Sequence, residues 1–313
     1  MSLKRKAQPV SSQDASSKKA KANFFAPRTA SGPSSLIQPQ FVYSKKQDSS
    51  LRLTTWNVNG IKSVDEKVLK KYLEAEDPDI LVLTETKYGK GKPDIMCLKT
   101  RYKHHVWGTD PKAGQAGTAI LSKQKPQNIT IGLPTWQGSS EETAGRFVQL
   151  EFEHTYVIGT YVPNSGENFK SLDTKKTWDA AFKEHIESLD PDKPVIWTGD
   201  FNCIPSKKDL DKKAQTFWNN LAGLSDVERT GLSAILDAPK TDNGKLKDVW
   251  RHLHPDAEEF THASLKYGAW RLDSFILSEG ILDKAQSCEI RHELKGLNLS
   301  DHWPVTLDFF GPL

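Results

Sequence analysis

The 313-residue sequence has no long apolar run and few cysteines, and each lack excludes a class of protein. No stretch is apolar over the thickness of a bilayer, and the N-terminus has no apolar segment of the secretory kind, so we expect neither a membrane partner nor export. The three cysteines, Cys97, Cys203 and Cys288, are far apart and odd in number. We therefore expect neither a disulfide framework nor a zinc knuckle, and we do expect a reduced intracellular compartment.

A net positive charge is also lacking over most of the chain. The first 50 residues carry nine Lys or Arg against two Asp, a net charge of +7, whereas the remainder carries 34 basic against 38 acidic residues, a net charge of −4. A body that is acidic overall does not bind a polyanion by bulk charge. Such binding would require a local basic rim around an acidic centre that holds a cation.

The first 50 residues are rich in Ser, Lys, Gln, Ala and Pro and show no periodicity. This composition predicts a disordered basic tail over residues 1–50, followed by one folded domain over 51–313. The clusters Lys4-Arg5-Lys6 and Lys18-Lys19-Ala20-Lys21 are typical of a split nuclear-import signal, and a solubilising tail explains them equally well. The adjacent aromatics of Asn23-Phe24-Phe25 suggest a short docking motif for a protein partner.

Several predicted strands are followed directly by residues that carry chemistry. The apolar run Val195-Ile196-Trp197 leads to Asp200 and Asn202. Leu51–Trp56 is followed in the same way by two Asn, and Ile80–Leu83 by an acid. Because α/β sheets keep their functional residues at strand ends, we expect these side chains to belong to one site.

The order of predicted elements indicates the fold class. Strands and helices alternate in two runs, about residues 51–165 and 166–313, which predicts an α/β fold with two stacked sheets covered by helices. A capping box is expected to start a helix at Ser63–Glu66, and a second capped helix is expected to start at Ser225. Trp270–Leu277 alternates like a single half-exposed strand.

The polar residues at presumed strand ends form one candidate set. They are Asn57, Asn59, Glu85, Tyr161, Asn164, Asp200, Asn202, Asp273, Asp301 and His302. Converging carboxylates repel one another unless a cation lies among them, and oxygen ligands suit Mg²⁺ or Mn²⁺ better than zinc. The amides and the Tyr are donors suited to a phosphate oxygen, so the set favours hydrolysis of a phosphoester. Turn and cap roles explain each residue taken alone, but not all of them together.

Six blocks of sequence resemble, in order and spacing, the signature blocks of the exonuclease III family of apurinic/apyrimidinic (AP) endonucleases, of the eukaryotic type with a basic N-terminal tail. They are Trp56-Asn57-Val58-Asn59-Gly60, Thr84-Glu85-Thr86-Lys87, Tyr161-Val162-Pro163-Asn164, Gly199-Asp200-Phe201-Asn202, Trp270-Arg271-Leu272-Asp273 and Ser300-Asp301-His302-Trp303-Pro304. The resemblance implies a four-layer α/β sandwich, in which two packed mixed β-sheets are flanked by helices. It also implies Mg²⁺-dependent cleavage of DNA 5′ to an abasic site, which leaves a 3′-hydroxyl, and often trimming of blocked 3′ ends or 3′→5′ exonuclease action.

The resemblance implies a role for each matching position. The metal ligands that it implies are Glu85 as the principal ligand, with Asn57, Asn59 and Asp301 near the ion or its waters. The catalytic residues that it implies are Asp200 and Asn202 for the attacking water, His302 held by Asp273 for a phosphate oxygen, and Tyr161 and Asn164 for the anion cradle. The substrate-binding residues that it implies are Trp270, Leu272 and His262.

The sequence departs from the family at the presumed lesion pocket. Phe260-Thr261-His262-Ala263 stands where the family usually has Tyr-Thr-Phe-Trp, so two large aromatics are replaced while Trp270 and Leu272 remain. The other departures are Gln115, Glu167 and Ser274. Since such a pocket holds a flipped-out sugar, we expect either ordinary abasic cleavage or a drift of preference toward 3′-end processing.

Partners and alternatives follow from the same resemblance. It implies double-stranded DNA with abasic or 3′-blocked lesions as the substrate. The basic clusters and the Phe24-Phe25 pair of the tail lead us to expect a nuclear location and docking of a repair protein, and we expect a monomer. Two alternatives stay open, a phosphatase acting on inositol phosphates or lipids, and a DNA-binding module without catalysis. The presence of Glu85, Asp200 and His302 argues against the second, because binding alone needs none of them.

Overall fold

The computed structural model describes residues 40–89, 91–112, 114–239, 243–297 and 299–313. The basic clusters and the Phe24-Phe25 motif lie outside these residues, and so does most of the predicted tail. The strands are β1 Ser50–Asn57, β2 Ile80–Thr84, β3 His104–Gly108, β4 Thr118–Ser122, β5 Asn128–Ile131, β6 Phe147–Glu151, β7 Tyr156–Tyr161, β8 Val195–Asp200, β9 Leu246–Asp248, β10 His262–Ser264, β11 Gly268–Trp270, β12 Asp273–Ser278, β13 Ala285–Ile290 and β14 Val305–Phe310. The helices are α1 Glu66–Glu76, α2 Met96–Arg101, α3 Leu172–Ser188, α4 Lys212–Gln215, α5 Asp226–Leu236 and α6 Val249–Leu253.

The strands form two six-stranded mixed sheets and one short hairpin. The first sheet has the order β13-β14-β1-β2-β4-β3, and the second has the order β5-β6-β7-β8-β12-β9. β1 pairs with β2 in parallel, and so does β7 with β8, whereas β12 is antiparallel to β8. The prediction of two mixed sheets flanked by helices is therefore confirmed.

Side chains of the central strands alternate between the core that separates the two sheets and the core beneath the helices. Val157 and Ile196 pack in the core between the two sheets, whereas their sequence neighbours Ile158 and Trp197 pack beneath α3 and α5. Successive residues of a strand point to opposite faces, so each central strand contributes to both cores. At Gly159 the sheets approach so closely that a Cβ would lie 2.8 Å from Val82 Cγ1.

The folded part of the chain begins earlier than the composition predicted. Residues 40–49, which we assigned to the tail, contact the domain: the rings of Phe41 and Tyr43 lie 5.9 and 6.1 Å from that of Tyr72 on α1. Lys46 Nζ donates to both oxygens of Asp79 at 2.8 Å. The boundary at Leu51 is therefore wrong, because two aromatics in a polar segment find a buried partner that local composition does not show.

Two local predictions are corrected and one is confirmed. Helix α1 is capped by Asp65, which accepts from the amides of Lys67 and Val68, whereas Ser63 Oγ donates to Gly60 O, so the predicted capping box is wrong. Ser225 does form a capping box with Glu228 at the start of α5. In the described part of the chain, no helix combines the length and apolar character needed to cross a bilayer.

The single strand predicted over Trp270–Leu277 is interrupted. Trp270 ends β11 and Asp273 begins β12, with Arg271 and Leu272 between them. The buried Arg271 guanidinium donates to Asp209 Oδ1 at 2.8 Å and to Asp248 Oδ2 at 2.7 Å, which pulls this residue out of the strand alternation. The break lets the segment leave the second sheet and form the β10–β11 hairpin.

Candidate active site

The sheet pairings bring the predicted strand ends together. In the first sheet Asn57 at the end of β1 is in register with Thr84 at the end of β2. In the second sheet Asp200 at the end of β8 lies between Tyr161 on β7 and Asp273 on β12. The two sheets therefore present their functional residues at one common edge, as the sequence predicted.

Tight turns immediately after the strands aim these side chains. Asn59, Glu85, Lys87 and Asn202 have left-handed backbone conformations, with φ of 45°, 46°, 49° and 46°. Such a conformation costs a residue with a Cβ about 1–3 kcal/mol and persists only where the surroundings fix it. The Glu85 turn is fixed by Gly60 N donating to Glu85 O at 2.7 Å. The strained backbone at this edge is consistent with a functional site.

Asn57 links the two sheets within the site. Its Nδ2 donates to Glu85 Oε1 at 3.0 Å and to Asp200 Oδ2 at 2.8 Å, and its Oδ1 accepts from Asn59 N at 3.0 Å. The side chain is buried, with 0% exposure. Since all of its polar atoms are engaged, Asn57 is placed to position two carboxylates rather than to ligate a metal directly.

Asp273 holds His302 beside Asp200. Asp273 Oδ2 is 2.7 Å from His302 Nδ1, which leaves Nε2 for the cavity that His302 lines. Ser300 fixes the backbone at this point, because its Oγ donates to Asn57 O at 2.7 Å and accepts from His302 N at 3.1 Å. The imidazole orientation is therefore set from both sides.

The pKa values of Asp200 and His302 are both raised, and both shifts favour proton transfer near neutral pH. Burial raises the pKa of Asp200, and the neighbouring Asp273 carboxylate raises it further, to about 7. Burial lowers the pKa of His302, but the carboxylates of Asp273, Asp200 and Asp301 outweigh it and raise the pKa to about 10. A carboxylate that accepts a proton near neutral pH thus lies next to an imidazolium that donates, a pairing suited to acid and base catalysis.

The opposite side of Asn57 carries the candidate metal ligands. The Lys87 ammonium lies between Glu85, with Nζ to Oε2 at 2.8 Å, and the Asn59 side-chain oxygen. Asn59 Nδ2 donates in turn to Asp301 Oδ1 at 2.9 Å. Burial opposes ionisation of Glu85, yet the hydrogen bonds from Asn57 and Lys87 lower its pKa. A cationic group is already attracted here, and the surrounding carboxylate and amide oxygens fit a hard divalent cation.

We call Asn57, Glu85, Asp200, Asp273 and His302 the polar edge. An open cavity of about 820 Å³ lies over it. The predicted site residues that line it are Glu85, Tyr161, Asn164, Asp200, Asn202, His262, Trp270, Leu272, Asp301 and His302. Asn57, Asn59 and Asp273 join them through the hydrogen bonds given above, so the structure brings all of the predicted residues together. The cavity also takes in Ala263 and Glu167, two of the departures.

The remaining departures lie elsewhere. Gln115 is exposed and takes no part in the cavity lining. Ser274 is buried, accepts from Arg271 Nη1 at 3.0 Å and donates to Asp248 Oδ1 at 3.0 Å. Neither departure therefore changes the wall of the cavity itself.

The anion cradle is ordered by its own hydrogen bonds. Asn202 Nδ2 donates to Val162 O at 3.0 Å, and Asn164 Nδ2 donates to Asn202 Oδ1 at 3.3 Å. Burial and the charges of Glu85 and Asp200 raise the pKa of Tyr161, so its hydroxyl stays protonated as a donor. Arg146 lies 5.0 Å from the centre of the Tyr161 ring.

Sequence reasoning missed three residues that organise the site. Lys87 bridges Glu85 and Asn59. Its position two residues after Glu85 in the sequence was the signal that could have identified it. Ser300 orients His302, and its place in the last of the six blocks, two residues before His302, was the available signal. Thr261 is fully buried, and its Oγ1 accepts from Leu272 N at 2.9 Å and from Asp273 N at 3.0 Å. The available signal for Thr261 was that it alone matches the family pattern Tyr-Thr-Phe-Trp in the segment Phe260–Ala263, but its role depends on partners that lie beyond a hairpin.

Comparison with known proteins decides the family. A family model described as the endonuclease/exonuclease/phosphatase family matches residues 54–302, from the middle of β1 to His302. The chain belongs to this family. Members of the endonuclease/exonuclease/phosphatase family that are similar to it include the exodeoxyribonuclease of Bacillus subtilis, 35% identical over 82% of this chain and 98% of that protein. The DNA repair nuclease APEX1 of Danio rerio is 34% identical over 83% of this chain and 82% of that protein.

A solved structure extends the family comparison to three dimensions. The 3′–5′ exonuclease from Neisseria meningitidis superposes with a TM-score of 0.71 at 26% identity, over 83% of this chain and 100% of that one. The endonuclease/exonuclease/phosphatase family is divalent-metal dependent, which agrees with the acidic cluster at the polar edge.

Proposed function

We propose that this chain is a Mg²⁺-dependent DNA repair phosphodiesterase that cleaves DNA 5′ to an abasic site and leaves a 3′-hydroxyl. The observation that carries the proposal is the arrangement around Asn57, which bonds Glu85 on one side and Asp200 on the other, with the Asp273–His302 pair adjacent. The family relatives named as exodeoxyribonuclease and DNA repair nuclease support a DNA phosphodiester as the substrate.

Asp200 supplies the base in the proposed reaction. Its Oδ1 accepts from Asn202 N at 2.9 Å and its Oδ2 accepts from Asn57, which leaves the carboxylate fixed above the cavity. Water attacks the phosphorus and gives a proton to Asp200, while Asn202 orients that water. The bond from phosphorus to the 3′-oxygen breaks, and the 3′-oxygen takes a proton from solvent in the open cavity and leaves as the hydroxyl.

The remaining donors stabilise the phosphate. His302 donates from Nε2 to a non-bridging oxygen, and Tyr161 and Asn164 add neutral donors, so charge that develops in the transition state meets groups already in place. A divalent cation, Mg²⁺ or Mn²⁺, held by Glu85 with Asn59 and Asp301, would supply Lewis-acid stabilisation of that charge. Trp270, Leu272 and His262 form the wall against which the lesion packs.

Incision of a duplex with one abasic analogue tests this function. We expect cleavage with Mg²⁺, none with EDTA, and a product that a polymerase extends, because its end is a 3′-hydroxyl. Phosphate release from a soluble inositol phosphate with no incision of the duplex would instead support the phosphatase alternative.

The open wall at Ala263 favours 3′-end processing as a second candidate activity. Ala263 is exposed on the cavity lining, so no large side chain closes this side. A 3′–5′ exonuclease is among the similar structures. Comparing an abasic-analogue duplex with a nicked, 3′-blocked duplex at equal enzyme and Mg²⁺ tests this, and much faster incision of the former would end the second candidate.

For the N-terminal segment we propose nuclear import and docking of a repair protein, and for the whole chain a monomer. The support is the two basic clusters and the Phe24-Phe25 pair. Replacing Lys18, Lys19 and Lys21 by Ala in a fluorescent fusion should reduce nuclear accumulation, and an unchanged distribution would leave only a solubilising role.

A further inference from the structure

Two imidazoles and a carboxylate converge on one wall of the cavity, next to the candidate ligands around Glu85. One ligand atom each from His262, Asp301 and His302 lies within 4.8 Å of the other two. Nitrogen ligands favour Zn²⁺ or Co²⁺ over Mg²⁺, and two His with one carboxylate is a set that such ions accept with positions left open. This group shares Asp301 with the oxygen ligands around Glu85 and differs from them by its two imidazole nitrogens.

The backbone holds these three residues in a fixed relation. His262 on β10 forms an antiparallel bridge with His302, and Ala263 N donates to Asp301 O at 3.2 Å. Trp303 N donates to Thr261 O at 2.7 Å on the other side of the bridge. The imidazole rings of His262 and His302 therefore lie with their centres 4.6 Å apart.

The free nitrogens point to a ligand. His302 Nδ1 is held by Asp273, so a metal would bind Nε2 in exchange for its proton, which passes to solvent. A carboxylate on the far nitrogen is the usual support of a metal-bound imidazole. His262 Nδ1 is buried and has no hydrogen-bond partner among the described residues, while its Nε2 is 3.7 Å from Asp301 Oδ2. Three carboxylates, Asp200, Asp273 and Asp301, surround the pair and attract a dication.

We propose that His262, Asp301 and His302 form a second metal site that binds a transition-metal dication of the Zn²⁺ or Co²⁺ type. Binding at this site does not depend on the proposed function. Its consequence does: a metal on His302 Nε2 removes the donor intended for the phosphate, so Zn²⁺ inhibits incision even with Mg²⁺ in excess.

Cobalt titration of the full chain in the presence of excess Mg²⁺ tests the site by its visible absorption. The wild-type protein should give d–d bands that saturate at one ion, and Zn²⁺ should remove them by competition. His262→Phe should weaken Co²⁺ binding by at least about 100-fold, since loss of even a supporting partner of a ligand costs roughly 10–100-fold. Asp301→Asn should also weaken Co²⁺ binding. Because two variants at different positions are used, a folding defect in one of them cannot by itself explain the loss of binding.

Matched controls separate this site from other possible ligands. His292→Gln replaces an exposed imidazole outside the group and should bind Co²⁺ as the wild type does. Thiolate charge-transfer bands would reveal binding at a cysteine instead and would overturn the proposal. Equal Co²⁺ affinity of wild type and His262→Phe, or an absence of bands in the wild type, would also overturn it. None of these outcomes bears on incision with Mg²⁺ alone, so the two proposals fail separately.

Discussion

Two buried histidines lie in opposite surroundings. His302 belongs to the polar edge, and carboxylates outweigh burial to raise its pKa to about 10. His185 belongs to the apolar body beneath α3 and α5, where its ring lies 5.1 Å from that of Phe147 and burial lowers its pKa to about 4.

The different surroundings of these two histidines show that reactivity and stability depend on different regions of the fold. The polar edge gathers like charges and strained turns, which cost stability and serve reaction. The apolar body consists mainly of uncharged side chains, and its buried charges Lys175 and Asp179 pair with each other at 2.5 Å. It provides the stability that offsets the cost of the edge. Changes at the edge should therefore alter rate without lowering stability, and changes in the body should do the reverse.

Asp200→Asn should have the largest effect. Removal of the base should lower the single-turnover rate on an abasic duplex by about 10²–10⁴-fold. The melting temperature should stay the same or rise, because a buried acid crowded by Asp273 and Glu85 is neutralised. Asp192→Asn, at an exposed position, is the matched control. Equal rates for Asp200→Asn and wild type would refute the assignment of the base.

Phe182→Ala tests the other side of the comparison. Phe182 has 0% exposure, and its ring centre lies 4.6 Å from that of Trp197. Truncation should lower the free energy of unfolding by about 3–5 kcal/mol, because it removes buried area and leaves a cavity. Urea unfolding measures this, and the rate of the folded variant at low temperature should match the wild type. Val227→Ala, on an exposed part of α5, should leave both unchanged.

His185 should make the body sensitive to acid. In the unfolded chain the pKa of His185 has its ordinary value of about 6.5, whereas in the folded protein it is about 4. Between these two pH values the unfolded state is protonated at His185 and the folded state is not. Stability is therefore fully present above about pH 6.5 and falls by about 3 kcal/mol as the pH approaches 4.

The matched variant for this pH effect is His185→Gln. Its amide can still donate to Gln149 Oε1, which lies 2.7 Å from His185 Nε2, but it does not titrate. The difference in unfolding free energy between wild type and variant should shrink as the pH falls, whereas His154→Gln, at an exposed position, should follow the wild type. A pH-independent difference would show that burial does not suppress protonation of His185.

Thr261 supports the polar edge through the backbone at Asp273, and its removal should affect both rate and stability. Thr261→Val leaves the amides of Leu272 and Asp273 without their acceptor, which should cost about 1–3 kcal/mol of stability. Asp273 then holds His302 less well, so kcat should fall about tenfold with little change in KM. Thr261→Ser keeps the hydroxyl and should restore both. A change confined to stability would show that Thr261 does not position Asp273 for the reaction.

The sequence predicted the residues of the polar edge better than their contacts. Asn57, Glu85 and Asp200 follow apolar runs of strand length, a local pattern that is visible without a fold. The bridge from Lys87 to Asn59 depends on two left-handed turns from different strands, and no local pattern specifies that pairing.

The wrong predictions have a common physical origin. The strand through Trp270–Leu277 was predicted from alternation alone, but Arg271 finds two buried acids that are distant in sequence. The tail was extended to residue 50 because its composition is polar, whereas Phe41 and Tyr43 pack on Tyr72. In both cases tertiary partners overrode a local preference.

Ala263→Trp should have the smallest effect, because Ala263 lies on the cavity wall and belongs neither to the polar edge nor to the apolar body. An added aromatic should narrow the open side and stack on the substrate, a contact worth about 1–3 kcal/mol. We expect the ratio of kcat/KM for an abasic duplex to that for a nicked, 3′-blocked duplex to rise about tenfold. Melting temperature and single-turnover rate at saturating abasic duplex should barely change, and Ala263→Ser should leave the ratio at the wild-type value. A fall in the single-turnover rate at saturating substrate would mean that the cavity wall at Ala263 also positions the phosphate. The wall could then not be treated as separate from the polar edge.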